Sequence, residues 1–416
     1  MKKTSYSNEA VLVGPFHQLI TMDGLCPRGP LDDSDLQIID NAGIIMRNGI
    51  IDAVGRYADL DDFAGKRLEI DFPSVVLPGF VDAHTHICFA GSRAEEYALK
   101  LGGSTYQEIA MSGGGIKNTV KQTRAASFEE LLQGVLSRTS RMLSRGVTTC
   151  EVKSGYGLTV ESEVKMLKII ANAEQIQPVS LIPTCLAAHL KPEEFETARS
   201  YLDYLIKNLF PILIESKLSK RIDIFVEKGA FSVDDARYYL QKAKEKRFDL
   251  VIHGDQFSQG GARLAAEIRA LSVDHLEETG IEDIKHLVES NVIPIALPGA
   301  SLGLGMKFAP AKKLLWEGLS LVIASDWNPG SAPMGDLLTE AAILSSYEKL
   351  SMAETFAAIT ARAASALKLS DRGILKPGMR ADFSVFPTGK YQEILYHQGT
   401  LTPHMVFTGG EATYAV

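Results

Sequence analysis

The chain has 416 residues, 45% of them apolar and 23% charged, with a formal net charge of −8. That length supports a large buried core or more than one domain, and the balance is ordinary for a soluble globular protein. The negative charge excludes the basic surface that a nucleic-acid partner selects, and no run of about 18 uncharged apolar residues is present to cross a membrane.

The opening MKKTSYSNEAVLVG lacks the apolar stretch of a signal peptide, so a cytoplasmic location is expected. Cys26, Cys88, Cys150 and Cys185 show no CxxC spacing and read as free thiols in a reducing compartment. Residues 9–75 read as short strands, with Asn48-Gly49 between two apolar runs as a hairpin signal. ADFSVFP and HMVFTGGEATYAV near the other end read the same way. Residues 1–75 and 371–416 are therefore expected to form one small β-sandwich domain built from both termini, around a catalytic domain over 76–370.

The middle alternates. Apolar β-type runs occur at 75–83, 146–152, 179–187, 222–227, 250–253, 271–275, 292–297 and 319–326. Helical patterns such as FEELLQGVLSRTSRMLSR, VESEVKMLKIIANA, DDARYYLQKAKEK and GARLAAEIRA lie between most of them. Eight buried strands with crossover helices predict an α/β fold, a closed (β/α)8 TIM-like barrel; an open doubly wound sheet is the alternative. In a barrel, functional residues gather at the C-terminal ends of the strands.

Those ends carry a pattern. The first run ends in LPGFVDAHTH (77–86), where His84 and His86, two residues apart in extended chain, face the same way. His189, His253, His275 and Asp326 close the third, fifth, sixth and eighth runs, so five of the nine histidines fall at such ends. Zinc or iron binds neutral imidazole and carboxylate at about 2.0–2.2 Å, and catalytic sites leave one position open. His84, His86, His253 and Asp326 would form such a site. Asp326 could accept a proton from a bound water, and His275 or His189 could stabilise a developing oxyanion. The constellation points to metal-assisted hydrolysis.

PGFVDAHTH, the histidines closing the fifth and sixth strands, Asp326 and the terminal RGILKPGMRADFSVF resemble the amidohydrolase superfamily. FAGSR (89–93), SGGGI (112–116), EVKSGYG (151–157) and SDWNPGS (325–331) narrow the resemblance to its imidazolonepropionase family, over essentially the whole chain. The resemblance implies one divalent metal, zinc or iron, on His84, His86, His253 and Asp326. It implies substrate contacts from Arg93, Tyr106, Tyr156, His189, Gln256, His275, Asn328, Gly330 and Ser331, and a homodimer. It further implies opening of the ring of 4-imidazolone-5-propanoate to N-formimidoyl-L-glutamate in histidine degradation. The small-molecule substrate carries a carboxylate, which a guanidinium such as Arg93 grips bidentately; pairing with Glu95 or Glu96 is the other reading of that arginine. A deaminase of the same superfamily, acting on a nucleobase, is the rival activity, and a non-catalytic barrel a third reading.

Three features depart from simpler schemes. Gln256 cannot serve as a general base, which leaves proton transfer to Asp326 or His275. The fourth run ends in Glu227-Lys228, where two-metal relatives place a carbamylated lysine; one metal is expected here. Residues 301–306, SLGLGM, are glycine-rich where the family tends to be bulkier.

Overall fold

The computed structural model describes residues 9–103 and 114–416. Eight parallel strands pair in chain order: Phe80–Asp82, Val147–Lys153, Ser180–Ala188, Arg221–Val226, Asp249–Gly254, Ser272–His275, Ile293–Ala296 and Val322–Ile323. Every residue of Val147–Lys153 is buried, as expected of a parallel strand covered on both faces. The eighth strand meets the first through backbone bonds, Asp326 N–H to the His84 carbonyl and His86 N–H to the Trp327 carbonyl, each 3.0 Å. The doubly wound alternative is thereby excluded. The four helices read from the sequence form at Phe128–Ser144, Val160–Ile176, Val233–Glu245 and Gly261–Ile268. Ser127 and Glu130 cap the first of them reciprocally.

Strands from both ends of the chain make a second, mixed sheet. Its central strand, Val11–Ile20, pairs antiparallel with Ile38–Arg47 and parallel with Lys66–Glu69 and Val75–Pro78. Val75–Pro78 in turn pairs with Phe383–Phe386 from the C-terminal part. The Asn48-Gly49 hairpin is present, with φ of +53° and +80°, the values a two-residue primed turn requires.

Two sequence runs need correction. The run 75–83 is two strands: Gly79 donates its N–H to the Asp382 carbonyl at 2.9 Å, and beyond it the chain enters the barrel. A Cβ at Gly79 would lie 2.3 Å from Thr148 Oγ1, so only glycine fits the crossing. The run 319–326 yields only Val322–Ile323, because Ser325 turns both its N–H (3.0 Å) and its hydroxyl (2.6 Å) to the Asp82 carboxylate. The first four residues of the glycine-rich 301–306 stretch lie in the helix Pro298–Leu304.

Candidate active site

Three imidazoles and one carboxylate converge where the barrel closes. His84 Nε2 lies 3.2 Å from His86 Nε2, which lies 3.3 Å from His253 Nε2. Asp326 Oδ1 is 3.4 Å from His84 Nε2 and 3.3 Å from His86 Nε2. Donors on a tetrahedron about 2.0–2.1 Å from a cation stand about 3.3–3.4 Å apart. The spacing therefore fits one cation. Chemistry agrees: His84 Nδ1 is hydrogen-bonded to Asp274 Oδ2 at 2.7 Å, and His253 Nδ1 lies 2.9 Å from Asp223 Oδ2 without the alignment of a hydrogen bond. A carboxylate there fixes the ring proton on Nδ1 and leaves Nε2 as a bare lone pair. Lone pairs from several rings at such spacing repel unless a cation lies between them. Asp326 is buried beside these rings. Its φ of +51° is a left-handed conformation that aspartate tolerates, and it aims the side chain into the ring of donors.

Beneath the donors lies a charged layer that sequence reading missed. Lys153, fully buried, places Nζ 2.8 Å from Glu151 Oε2, 2.9 Å from Asp223 Oδ2 and 3.4 Å from Asp274 Oδ2. Burial opposes its charge, but Asp223, Glu151 and Asp274 outweigh that and raise its pKa. Arg221 Nε adds a contact of 3.2 Å to Glu151 Oε1. The same ammonium therefore contacts both carboxylates that stand behind the His84 and His253 rings. Period-2 spacing was the available signal: Glu151 and Lys153, like Arg221 and Asp223, are charges two apart inside apolar strands.

The mouth is shaped by residues that hold loops. Glu163 accepts N–H bonds from Gly155 (3.0 Å), Gly157 (2.8 Å) and Leu158 (2.8 Å), fixing the loop that carries buried Tyr156. The Gly155 carbonyl accepts from His189 Nδ1 at 3.1 Å. A carbonyl can only accept, so Nδ1 bears the proton; burial pushes this ring's pKa down to about 3, and Nε2 is a bare acceptor. In this tautomer His189 offers Nε2 as an acceptor, suited to a substrate N–H. Glu163→Ala would leave three buried N–H groups unpartnered. At about 1–3 kcal/mol each, the thermal midpoint should fall markedly, which differential scanning calorimetry would measure.

Glu227 turns to the next loop, accepting N–H bonds from Phe257 (2.8 Å) and Ser258 (3.1 Å), and so holds the segment bearing Gln256. Lys228, one residue on, is exposed, whereas His84, His86, His253 and Asp326 are buried. Arg93 gives Nε to Glu96 Oε2 at 2.8 Å, so the ion-pair reading of this arginine is also present. Its Nη1 packs against Gly330, where a Cβ would approach to 2.0 Å. Asn328 Oδ1 accepts the N–H groups of Gly330 (2.7 Å) and Ser331 (2.8 Å), and its amide donates to the Asp326 carbonyl at 2.7 Å. Asn328 in this state pins its own loop. Tyr106, with Ser112 and Gly113, lies outside the described residues.

The family model described as the amidohydrolase family matches residues 75–413. Among curated relatives, proteins named imidazolonepropionase from Solibacter usitatus and Bacillus cereus are each 38% identical; they cover 95% of this chain, and 97% and 95% of the relatives. One of the same name from Bdellovibrio bacteriovorus is 35% identical over 97% of this chain and 96% of its own. Among solved structures, a mutant atrazine chlorohydrolase from Arthrobacter aurescens, complexed with zinc and atraton, aligns with a TM-score of 0.69 at 15% identity, over 97% of this chain and 94% of that one. An adenosine deaminase from Xanthomonas campestris with bound zinc gives 0.69 at 18% identity, over 97% and 93%. At such identity these structures speak for the fold alone. With a family match over most of its length and full-length relatives above 30% identity, the chain belongs to the amidohydrolase family.

Proposed function

We propose that this chain hydrolyses the cyclic amide of 4-imidazolone-5-propanoate to N-formimidoyl-L-glutamate, with one divalent cation, zinc or iron, on His84, His86, His253 and Asp326. The observation that carries the reading is the close approach of those donors, with His86 Nε2 3.2–3.3 Å from a donor atom of each of the other three, in a chain alignable end to end with relatives of that name. The cation supplies Lewis acidity at the ring carbonyl and acidifies water toward a pKa of about 7. The reaction adds hydroxyl to the carbonyl carbon, breaks the adjacent C–N bond and delivers a proton to the leaving nitrogen. Asp326, held as a carboxylate, takes the proton from water. His275 carries a proton to or from the ring, and Gln256 is limited to hydrogen bonding. His189 accepts a ring N–H through Nε2, and Tyr156 donates to the substrate from its pinned loop. The substrate's carboxylate lies on the Nη edge of Arg93, beside Gly330 and Ser331. A homodimer in the cytoplasm is the working form proposed here, in keeping with the absence among the described residues of any helix long and apolar enough to cross a membrane.

A substrate panel tests the reading. The zinc- or iron-loaded protein should open the imidazolone and leave adenine, guanine and cytosine unchanged; ammonia released from a nucleobase, with the imidazolone untouched, would reverse the assignment to a deaminase. Arg93→Ala should raise KM by about 10- to 100-fold, the effect of losing a charged hydrogen-bonded pair, with metal content unchanged. Loss of the metal in that variant would show that Arg93 does something else.

A further inference from the structure

His275 stands on unusual backbone: its φ is +91° and that of Leu276 is +74°, two successive non-glycine residues outside the common regions. Such conformations persist where the surroundings fix them, and they cluster at functional sites. Two residues on, Glu277 is buried, and one of its oxygens, Oε2, has no hydrogen-bond partner. It faces His275 Nδ1, which is buried and also without a partner, across 3.6 Å. The other oxygen, Oε1, accepts the hydroxyl of buried Ser301 at 2.9 Å. Ser301 belongs to the helix Pro298–Leu304, the glycine-rich stretch whose place in the pocket was open from the sequence.

Two buried polar atoms left facing each other satisfy both valences by closing a few tenths of an ångström. Catalytic hydrogen bonds are often long in a free enzyme and shorten when substrate binds. We infer that Glu277, anchored by Ser301, is the positioning residue for His275: it accepts a hydrogen bond from Nδ1–H and so presents Nε2 to the substrate. A carboxylate behind an imidazole fixes its tautomer and stabilises the imidazolium that forms when Nε2 takes up a proton, without itself becoming protonated. The relay runs Ser301 to Glu277 to His275. Its members come from the loop after the sixth strand and the helix after the seventh, so the pairing closes only when both segments are in place.

This inference rests on the ring-opening activity proposed above, and the test separates the two. If the unaltered protein does not open the imidazolone, the activity is wrong; the relay is judged only against an active parent. Glu277→Gln should lower kcat by about 10²–10⁴-fold, the range for a mis-set or missing acid–base partner, with KM and metal content within about twofold of the parent. Ser301→Ala should lower kcat by a smaller factor in the same direction. In a His275→Ala background neither substitution should lower kcat further, because groups acting through one residue are not additive. Long-range ¹⁵N–¹H spectra of the histidine rings should show His275 protonated at Nδ1 in the parent and a changed tautomer population in Glu277→Gln. A full further loss from Glu277→Gln in the His275→Ala background would overturn the relay, as would unchanged kcat in the single variant. Should Glu277→Gln fail to fold, Ser301→Ala and its combination with His275→Ala carry the same comparison.

Discussion

His253→Ala is expected to purify with little or no zinc or iron and with activity at background. Its Nε2 is 3.3 Å from that of His86, and its Nδ1 lies 2.9 Å from Asp223 Oδ2, so the ring presents Nε2 to the proposed cation position. Structural zinc sites bind with about 10–16 kcal/mol shared over four ligands. Losing one should therefore weaken binding by roughly 10²–10³-fold. Elemental analysis after dialysis against a weak chelator reads this directly. His286→Ala, on the exposed face of the helix Ile281–Ser290, is the control and should retain both metal and rate. Full metal with full activity in His253→Ala would remove that residue from the donor set.

Lys153→Met should be the most damaging single change away from the donors themselves. The ammonium touches Glu151, Asp223 and Asp274 at 2.8, 2.9 and 3.4 Å, in a layer closed to water. Methionine fills similar space and leaves the carboxylates with Arg221 as the cation at 3.2 Å from Glu151. Removing one partner of a buried ion pair costs about 3–5 kcal/mol, so the thermal midpoint of a chain this long should fall by roughly 3–6 °C. Two opposed effects then reach the metal. Loss of a nearby positive charge would strengthen cation binding, whereas loss of the fixed Asp223 and Asp274 would turn His253 and His84 out of position. Metal affinity should fall by about 10–100-fold, as when outer-shell partners of ligands are removed. Competition against a chromophoric chelator decides the matter: tighter binding in Lys153→Met would mean that charge, and not orientation, is the lysine's contribution.

How far the sequence led differs by kind of contact. The donors at strand ends were legible because His84 and His86 share a face by local geometry, and because neither packing nor solubility favours histidines at the close of apolar runs. The barrel was legible because its strands read as continuous apolar runs separated by helical patterns. The groups that hold the donors were not. Lys153 meets Asp223 seventy residues away, and Glu277 meets Ser301 twenty-four away, so no local period ties them together. Glu163 lies in a helix with exposed Glu161 and Lys168 on either side of it, and nothing in VESEVKMLK marks it as the residue that turns inward to a loop. The split at Gly79 was hidden for another reason. Strands of two different sheets, both buried, make one unbroken apolar run, and only a close approach to Thr148 reveals the joint.

The central claim is a position in space, and an anomalous difference map from crystals grown with zinc tests it most directly. A single peak per chain is predicted, about 2.0–2.2 Å from Nε2 of His84, His86 and His253 and from a carboxylate oxygen of Asp326. A peak among Glu151, Asp223 and Asp274 in place of the Lys153 ammonium, or paired peaks reaching toward Lys228, would contradict the assignment.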